Sequence, residues 1–210
     1  MGVAKPPARR LGRPKDVASA DTRERLLEVA RGAFARNGFD ATTNKQIADA
    51  VGITTGAIYH YYPSKLDLYS AVYEQVQEIV YSAFEKAVAG HDTLFDKFGA
   101  TLDAAVELNR EDPSIAGFVV GVAGEAQRHP ELMPLLAPVR VERGRFLHQM
   151  VLEAEARGEL ARDVSPDALA DLLNAVLSGL ARFSNQTGDS ARHEQAVSVL
   201  KRFLNGTLTR

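Results

Sequence analysis

Five polar side chains within eight residues, Thr54, Thr55, Tyr59, His60 and Tyr61, are the chemistry this sequence offers most openly. Hydroxyl and imidazole groups can donate to phosphate oxygens. The short Thr54, Thr55, Gly56 and Ala57 let a helix end come close to base edges in a major groove. Lys65 follows at the start of another helix, where free amides and a cation together suit a phosphate. Catalytic patterns are missing from the whole chain: no Gly-x-Ser-x-Gly, no His-Glu-x-x-His and no phosphate-cradling glycine loop. There is no cysteine, which excludes disulfides, thiolate zinc sites and cysteine nucleophiles. Glu125 and His129 stand four apart and read as a surface pair near a helix end rather than as metal ligands. No catalytic residue, metal or cofactor is therefore expected.

Those side chains need a rigid frame, and the residues before them supply one. Thr43 and Gln46 have capping-box spacing, and Ile47, Ala48 and Val51 give the helix they open one apolar face. Gly52 suits the left-handed turn that follows, and Thr54 can cap a second helix. Two short helices joined by a glycine turn form a helix-turn-helix. Upstream, a helix over about Thr22–Asn37 carries Leu26, Ala30, Ala33 and Phe34 on one face. Gly38 should stop it, and Phe39 should fold back. Downstream, Pro63 ends the recognition helix and Ser64-Lys-Leu-Asp67 restarts a fourth helix, which runs to about Ala89.

The remainder is all-α in pattern. Helices are expected over about 93–109, 113–129, 131–157, 165–183 and 190–208, with no strand-period segment and no repeat. Gly117-x-x-x-Gly121 lies in a short apolar stretch and reads as close helix packing. Chain length suits one large or two modest domains with a real core.

The net charge of −2 hides a split. Residues 1–70 hold eleven Lys and Arg against seven Asp and Glu, a balance of +4, which leaves −6 for the rest. The first fifteen residues contain Lys5, Arg9, Arg10, Arg13 and Lys15 and no acid. This points to a polyanion partner at one end only. Residues 1–18 form an expected flexible basic arm. Its Gly12-Arg-Pro14 centre is similar to AT-hook segments, which place an Arg such as Arg13 in a narrow minor groove. No secretory signal and no membrane-length apolar run is present, so a cytoplasmic protein is expected.

Four phrases together carry a family resemblance: Phe34-Ala-Arg-Asn-Gly-Phe39, Thr43 to Ile53, Gly56-Ala-Ile-Tyr59 and Tyr62-Pro-Ser-Lys65. On them the chain resembles the tetracycline-repressor (TetR) family of transcriptional regulators. The resemblance implies a three-helix head at 19–66 and a ligand-binding and dimerisation body at 67–210, with the long fourth helix between them. It implies a homodimer on a double-stranded operator, with Thr54, Thr55 and Gly56 at bases. Thr43, Tyr59, Tyr61 and Lys65 should meet phosphate, with Lys45 and His60 as further backbone contacts. Two departures stand out: Asn44 in place of an apolar residue, and Tyr62 in place of Phe, whose hydroxyl needs a partner.

A ligand cavity is expected among Phe84, Phe95, Phe98, Phe118, Val122, Phe146 and Met150. Asn109, Gln127, His148 and Asn174 are its candidate polar anchors. The last two helices are expected to form the dimer through Leu173, Val176, Leu177, Leu180, Val197, Leu200 and Leu204. The function expected is a repressor released from a palindromic operator by a small apolar effector that shifts the fourth helix. The alternative is a helical ligand-binding protein whose head contacts protein instead of DNA.

Overall fold

Helix starts are set locally by side-chain caps. The computed structural model describes residues 15–208, so Arg13 and the Gly12-Arg-Pro14 centre lie outside the described residues. Its helices are α1 (Lys15–Ala41), α2 (Asn44–Val51), α3 (Thr55–Tyr61), α4 (Lys65–Val88), α5 (Leu94–Glu111) and α6 (Pro113–Arg128). A 3₁₀ turn (Pro130–Leu132) then leads to α7 (Met133–Ala156), α8 (Pro166–Thr187) and α9 (Ser190–Leu204). No strand occurs among the described residues. Thr43, Thr54, Ser64, Thr93, Asp112, Ser165 and Asp189 each accept a backbone N–H in the first turn they precede. Each such bond satisfies an amide that the helix itself leaves unpaired.

Gly38 breaks α1 as the sequence suggests. Its φ of 77° leaves the helical region, and Phe39 turns back so that its ring lies 6.1 Å from that of Phe34. At the other end, Lys15–Ala18 are already helical and belong to α1 rather than to the basic arm. α1 packs most extensively on α6, and α4 packs on both α1 and α5. The head is thus seated on two helices of the body, not on α4 alone.

Two apolar cores result. The first merges head and body: Leu26, Phe34, Phe39, Ile47 and Ile58 meet Tyr69, Val72 and Val76 of α4 and Phe118 of α6. Tyr69 centres an aromatic cluster, with Phe34, Phe39 and Phe118 ring centroids 5.0, 5.4 and 4.9 Å away. Burial beside Glu125 pushes the Tyr69 phenol far above its ordinary pKa, so its hydroxyl stays protonated. The second core joins Leu94, Phe98 and Leu102 of α5 to Leu147, Met150 and Val151 of α7, Leu173 of α8 and Val197 of α9.

These cores correct several expectations. Phe118 and Val122 belong to the head–body core, and Phe98 and Met150 to the second core. Phe95, placed in a cavity from its helical phase, is 57% exposed. The expected dimer residues turn inward: Leu173 and Val197 are core, and Val176, Leu177, Leu180, Leu200 and Leu204 pack against it. The apolar groups that α8 and α9 leave outside sit one position away, at Leu172, Val199 and Phe203. One step along a helix rotates a side chain by about 100°, enough to exchange inner and outer faces.

Candidate DNA-binding surface and internal chamber

The head's surface begins with the box that opens α2. Thr43 Oγ1 accepts the Gln46 amide at 3.2 Å, and Gln46 Oε1 accepts the Thr43 amide at 2.9 Å. Gly52 then adopts φ 80°, and the Gly52 and Ile53 amides both close on the Ala48 carbonyl. Ile58 is fully buried and fixes the roll of α3, while Gly56, Tyr59 and His60 face outward. Thr54 Oγ1 accepts the Ala57 amide at 3.2 Å, which leaves its hydroxyl hydrogen free to donate. Thr55 is half-buried, and Lys45 is exposed and pairs loosely with Asp49 at 3.3 Å. Tyr61 lies partly against the core, its ring 5.7 Å from that of His60.

Two residues near this surface have other roles. Lys65 does not point to solvent: its Nζ donates to the Phe39 carbonyl at 2.8 Å and the Thr42 carbonyl at 3.1 Å, and sits 4.2 Å from the Phe39 ring centroid. Its charge closes the C-terminal end of α1, where carbonyls lack partners. The phosphate role expected of Lys65 is therefore withdrawn. Tyr62 is buried, and its hydroxyl accepts Arg23 Nε at 3.0 Å, the partner its extra oxygen required. Asn44 is buried too, with its Oδ1 unpartnered among the described residues.

α6 holds the head at both of its ends. At its start, the buried Arg31 of α1 donates Nε to Ser114 Oγ at 3.0 Å and Nη2 to Asp112 Oδ2. Burial raises the Asp112 pKa, but the Ser114 hydroxyl and amide and then Arg31 outweigh it, and the net shift is downward. At its end, Glu125 Oε1 accepts the Phe39 amide at 3.1 Å and pairs with Arg128 at 2.8 Å. His129 lies over Phe39 with centroids 4.8 Å apart, and its Nε2 is 3.0 Å from Asp40 Oδ1 without hydrogen-bond alignment. Glu125 is thus buried at the junction and is not the surface partner of His129 that its spacing suggested. Between the two ends, Gly117 faces Ala35 so closely that a Cβ there would meet the alanine Cβ at 3.4 Å. Nothing crowds Gly121, so only the first glycine of that pair serves packing.

The body holds a partly open chamber of about 150 Å³. α4 contributes Gln77, Tyr81 and Phe84, and α7 contributes Phe146 and Leu147. α6 contributes Ile115 and Val119 from the same helix that grips the head. Asn109 from α5, Asn174, Ser178 and Ser184 from α8, and His193 from α9 complete the polar part of the wall. Of the expected cavity residues, Phe84, Phe146, Asn109 and Asn174 line it. Leu177, Leu180 and Val197, assigned beforehand to a dimer, line it as well. Gln127 is exposed and takes no part in the chamber.

Gln77, Tyr81, Ser184 and His193 were missed by sequence reasoning. Each occupies a helical phase that could equally have met water, so composition gave no signal. Burial lowers the His193 pKa, and its buried Nδ1 has no hydrogen-bond partner among the described residues. Tyr81, Leu147 and Asn174 are shared with a polar cleft of about 300 Å³, to which Arg143, His148, Asp167 and Asp171 also contribute. His148 belongs to that outer cleft and not to the chamber.

No helix among the described residues is long and apolar enough to cross a membrane, and none of their acidic and histidine side chains cluster to hold a metal. Residues 26–72 match the family described as bacterial regulatory proteins, tetR family, and residues 90–200 match the tetracyclin repressor-like C-terminal domain. The chain is 27% identical over 192 residues to the HTH-type transcriptional regulator UidR of Escherichia coli K12, covering 90% of this chain and 93% of that one. It is 27% identical over 168 residues to the HTH-type transcriptional repressor BepR of Brucella suis, covering 77% and 79%. The solved structure of Salmonella enterica GusR is 29% identical with a TM-score of 0.70, covering 95% of this chain and 99% of that one.

Proposed function

The chain belongs to the TetR family of DNA-binding transcriptional regulators, and on that premise we propose that it is a repressor released from a palindromic operator by a small effector. The observation that carries the reading is α6. One helix lines the chamber with Ile115 and Val119 and holds the head through Asp112, Ser114 and Glu125. A molecule that displaces α6 also displaces α1 and the recognition helix. This modifies the expected mechanism, in which α4 alone swings: α4 and α6 move the head together. The effector acts only by binding one head position better than another, commonly with 1–3 kcal/mol of coupling.

On DNA, α3 enters the major groove with Thr54, Thr55 and Gly56 at base edges. Thr43, Lys45, Tyr59, His60 and Tyr61 take phosphates, and Arg13 reaches the adjoining minor groove. The dimer forms through the outer face of α8 and α9, where Leu172, Val199 and Phe203 are exposed large apolar residues. Two copies then pack these helices as a four-helix bundle and set two heads about 34–36 Å apart, one helical turn of DNA. The word repressor in the BepR name supports the sign of regulation.

Fluorescence anisotropy of the full chain on its own upstream DNA is the test. The reading requires tight binding to one inverted repeat that outcompetes unrelated duplex by at least about 10³-fold. Binding of equal strength to any duplex would overturn it.

A further inference from the structure

The chamber's chemistry narrows what it can hold. None of the residues lining it is Asp, Glu, Lys or Arg. A charged group held against these walls would lose hydration and find no counter-ion on them, which disfavours it. The volume of about 150 Å³ is that of engineered apolar cavities that admit a single benzene ring. Aromatic and aliphatic walls come from Phe84, Phe146, Leu102 and Val119.

Part of the polar wall lies toward the head. Asn109 stands three residues before Asp112, which binds Arg31 of α1. Ser184 stands beside Asn185, whose carboxamide oxygen would lie 3.1 Å from a Cβ added at Gly117, where α6 meets the head. His193 is 3% exposed, and its Nδ1 has nothing to bond to among the described residues. A buried polar atom of this kind is rare unless a water or ligand completes it. Desolvation lowers the pKa of the ring, so at neutral pH the neutral imidazole can meet a neutral hydroxyl or carbonyl.

Resting on the reading of the chamber as the effector site, we propose that it takes an uncharged, single-ring-sized molecule bearing one hydroxyl or carbonyl oxygen, with that oxygen on the His193 imidazole and the ring against the paired rings of Phe84 and Phe146. The polar end of the ligand then sits toward the end of α8, which approaches the start of α6 at Gly117. A ligand without that oxygen fills space but leaves His193 unsatisfied.

Calorimetric titration of the full-length protein with phenol, toluene and benzoate at neutral pH tests the class. Phenol should bind about fivefold tighter than toluene, the yield of one neutral hydrogen bond, and at least about tenfold tighter than benzoate. His193→Phe should reduce the phenol-to-toluene ratio to about one while toluene still binds. Benzoate binding as tightly as phenol would overturn the neutral class. Equal phenol and toluene affinities in the natural chain would overturn the His193 contact, and binding of none of the three would overturn the size.

The location is tested separately by filling the chamber with Ala105→Trp, or with Ala181→Leu if the first does not give the helical circular dichroism of the natural chain. Loss of phenol binding in the filled variant places the ligand in the chamber. Retention would sink the chamber as effector site, whichever way the three probes rank.

Discussion

Replacing Asp112 with Asn tests whether the start of α6 fastens the head to the body. The substitution keeps a capping oxygen for the Ser114 amide, which Asp112 Oδ1 accepts at 2.9 Å, because Asn caps about as well as Asp. What it removes is the charge facing Arg31, whose side chain is only 6% exposed. A hydrogen bond to a charged group contributes about 1.5–3 kcal/mol, and breaking a buried ion pair costs about 3–5 kcal/mol. The Asp112 side chain is 33% exposed, so water screens part of the attraction and the lower range applies. We expect a loss of about 2 kcal/mol at neutral pH. In an Arg31→Met background, which keeps the apolar stem, the same change should cost almost nothing. The double-mutant cycle then gives a coupling of about 1.5–2 kcal/mol, read from urea denaturation at fixed protomer concentration. The Asp112 pKa is lowered in the folded state, so this stabilisation is present above the ordinary aspartate pKa of 3.8 and is lost as pH falls through the lower folded value. A coupling under about 0.5 kcal/mol at neutral pH, or one that grows on acidification, would refute the fastening role.

Lys45→Ala should weaken operator binding on every sequence and reduce the salt slope by about one, whereas Lys65→Ala should lower the Tm and leave the salt slope unchanged; the reverse would restore Lys65 to the phosphate surface. Gly38→Ala forces a Cβ to 2.8 Å from Glu125 Oε1 at φ 77°, and a loss of about 2 kcal/mol or more in denaturant melts is expected. His193 has a folded pKa below its unfolded value, so stability should fall as pH drops below about 6.5, and His193→Phe should remove that part of the acid sensitivity in thermal melts. Phe203→Glu should give monomers in sedimentation that lose operator binding, while Val197→Glu should instead unfold the body, since Val197 is core.

The head was legible because its information is short-range. The Thr43–Gln46 box, the Gly52 turn and the Thr54 and Ser64 caps each involve residues within four positions, and all four form as read. The α-helical body was legible for the same reason, through apolar spacing and caps such as Thr93 and Ser165. Which face of each helix met which neighbour was not. Leu172 and Leu173 are adjacent and chemically identical, yet one is exposed and the other is core. Phe95 and Phe98 are three apart on one helix and part in the same way.

An all-α chain with a capped helix-turn-helix, and with it the kind of partner that surface suits, thus follows from the order of residues alone. What governs that head follows only from packing in three dimensions. Lys65 reaches back to carbonyls 23 and 26 residues earlier, Arg31 reaches Ser114 across 83 positions, and Glu125 holds the Phe39 amide across 86. Four of the chamber's polar groups, Gln77, Asn109, Ser184 and His193, come from α4, α5, α8 and α9 and share that space only after those helices pack. Caps and turns are fixed by bonds within a few residues. A cavity and a junction are fixed by how several helix faces share one limited volume, which no single stretch of chain encodes.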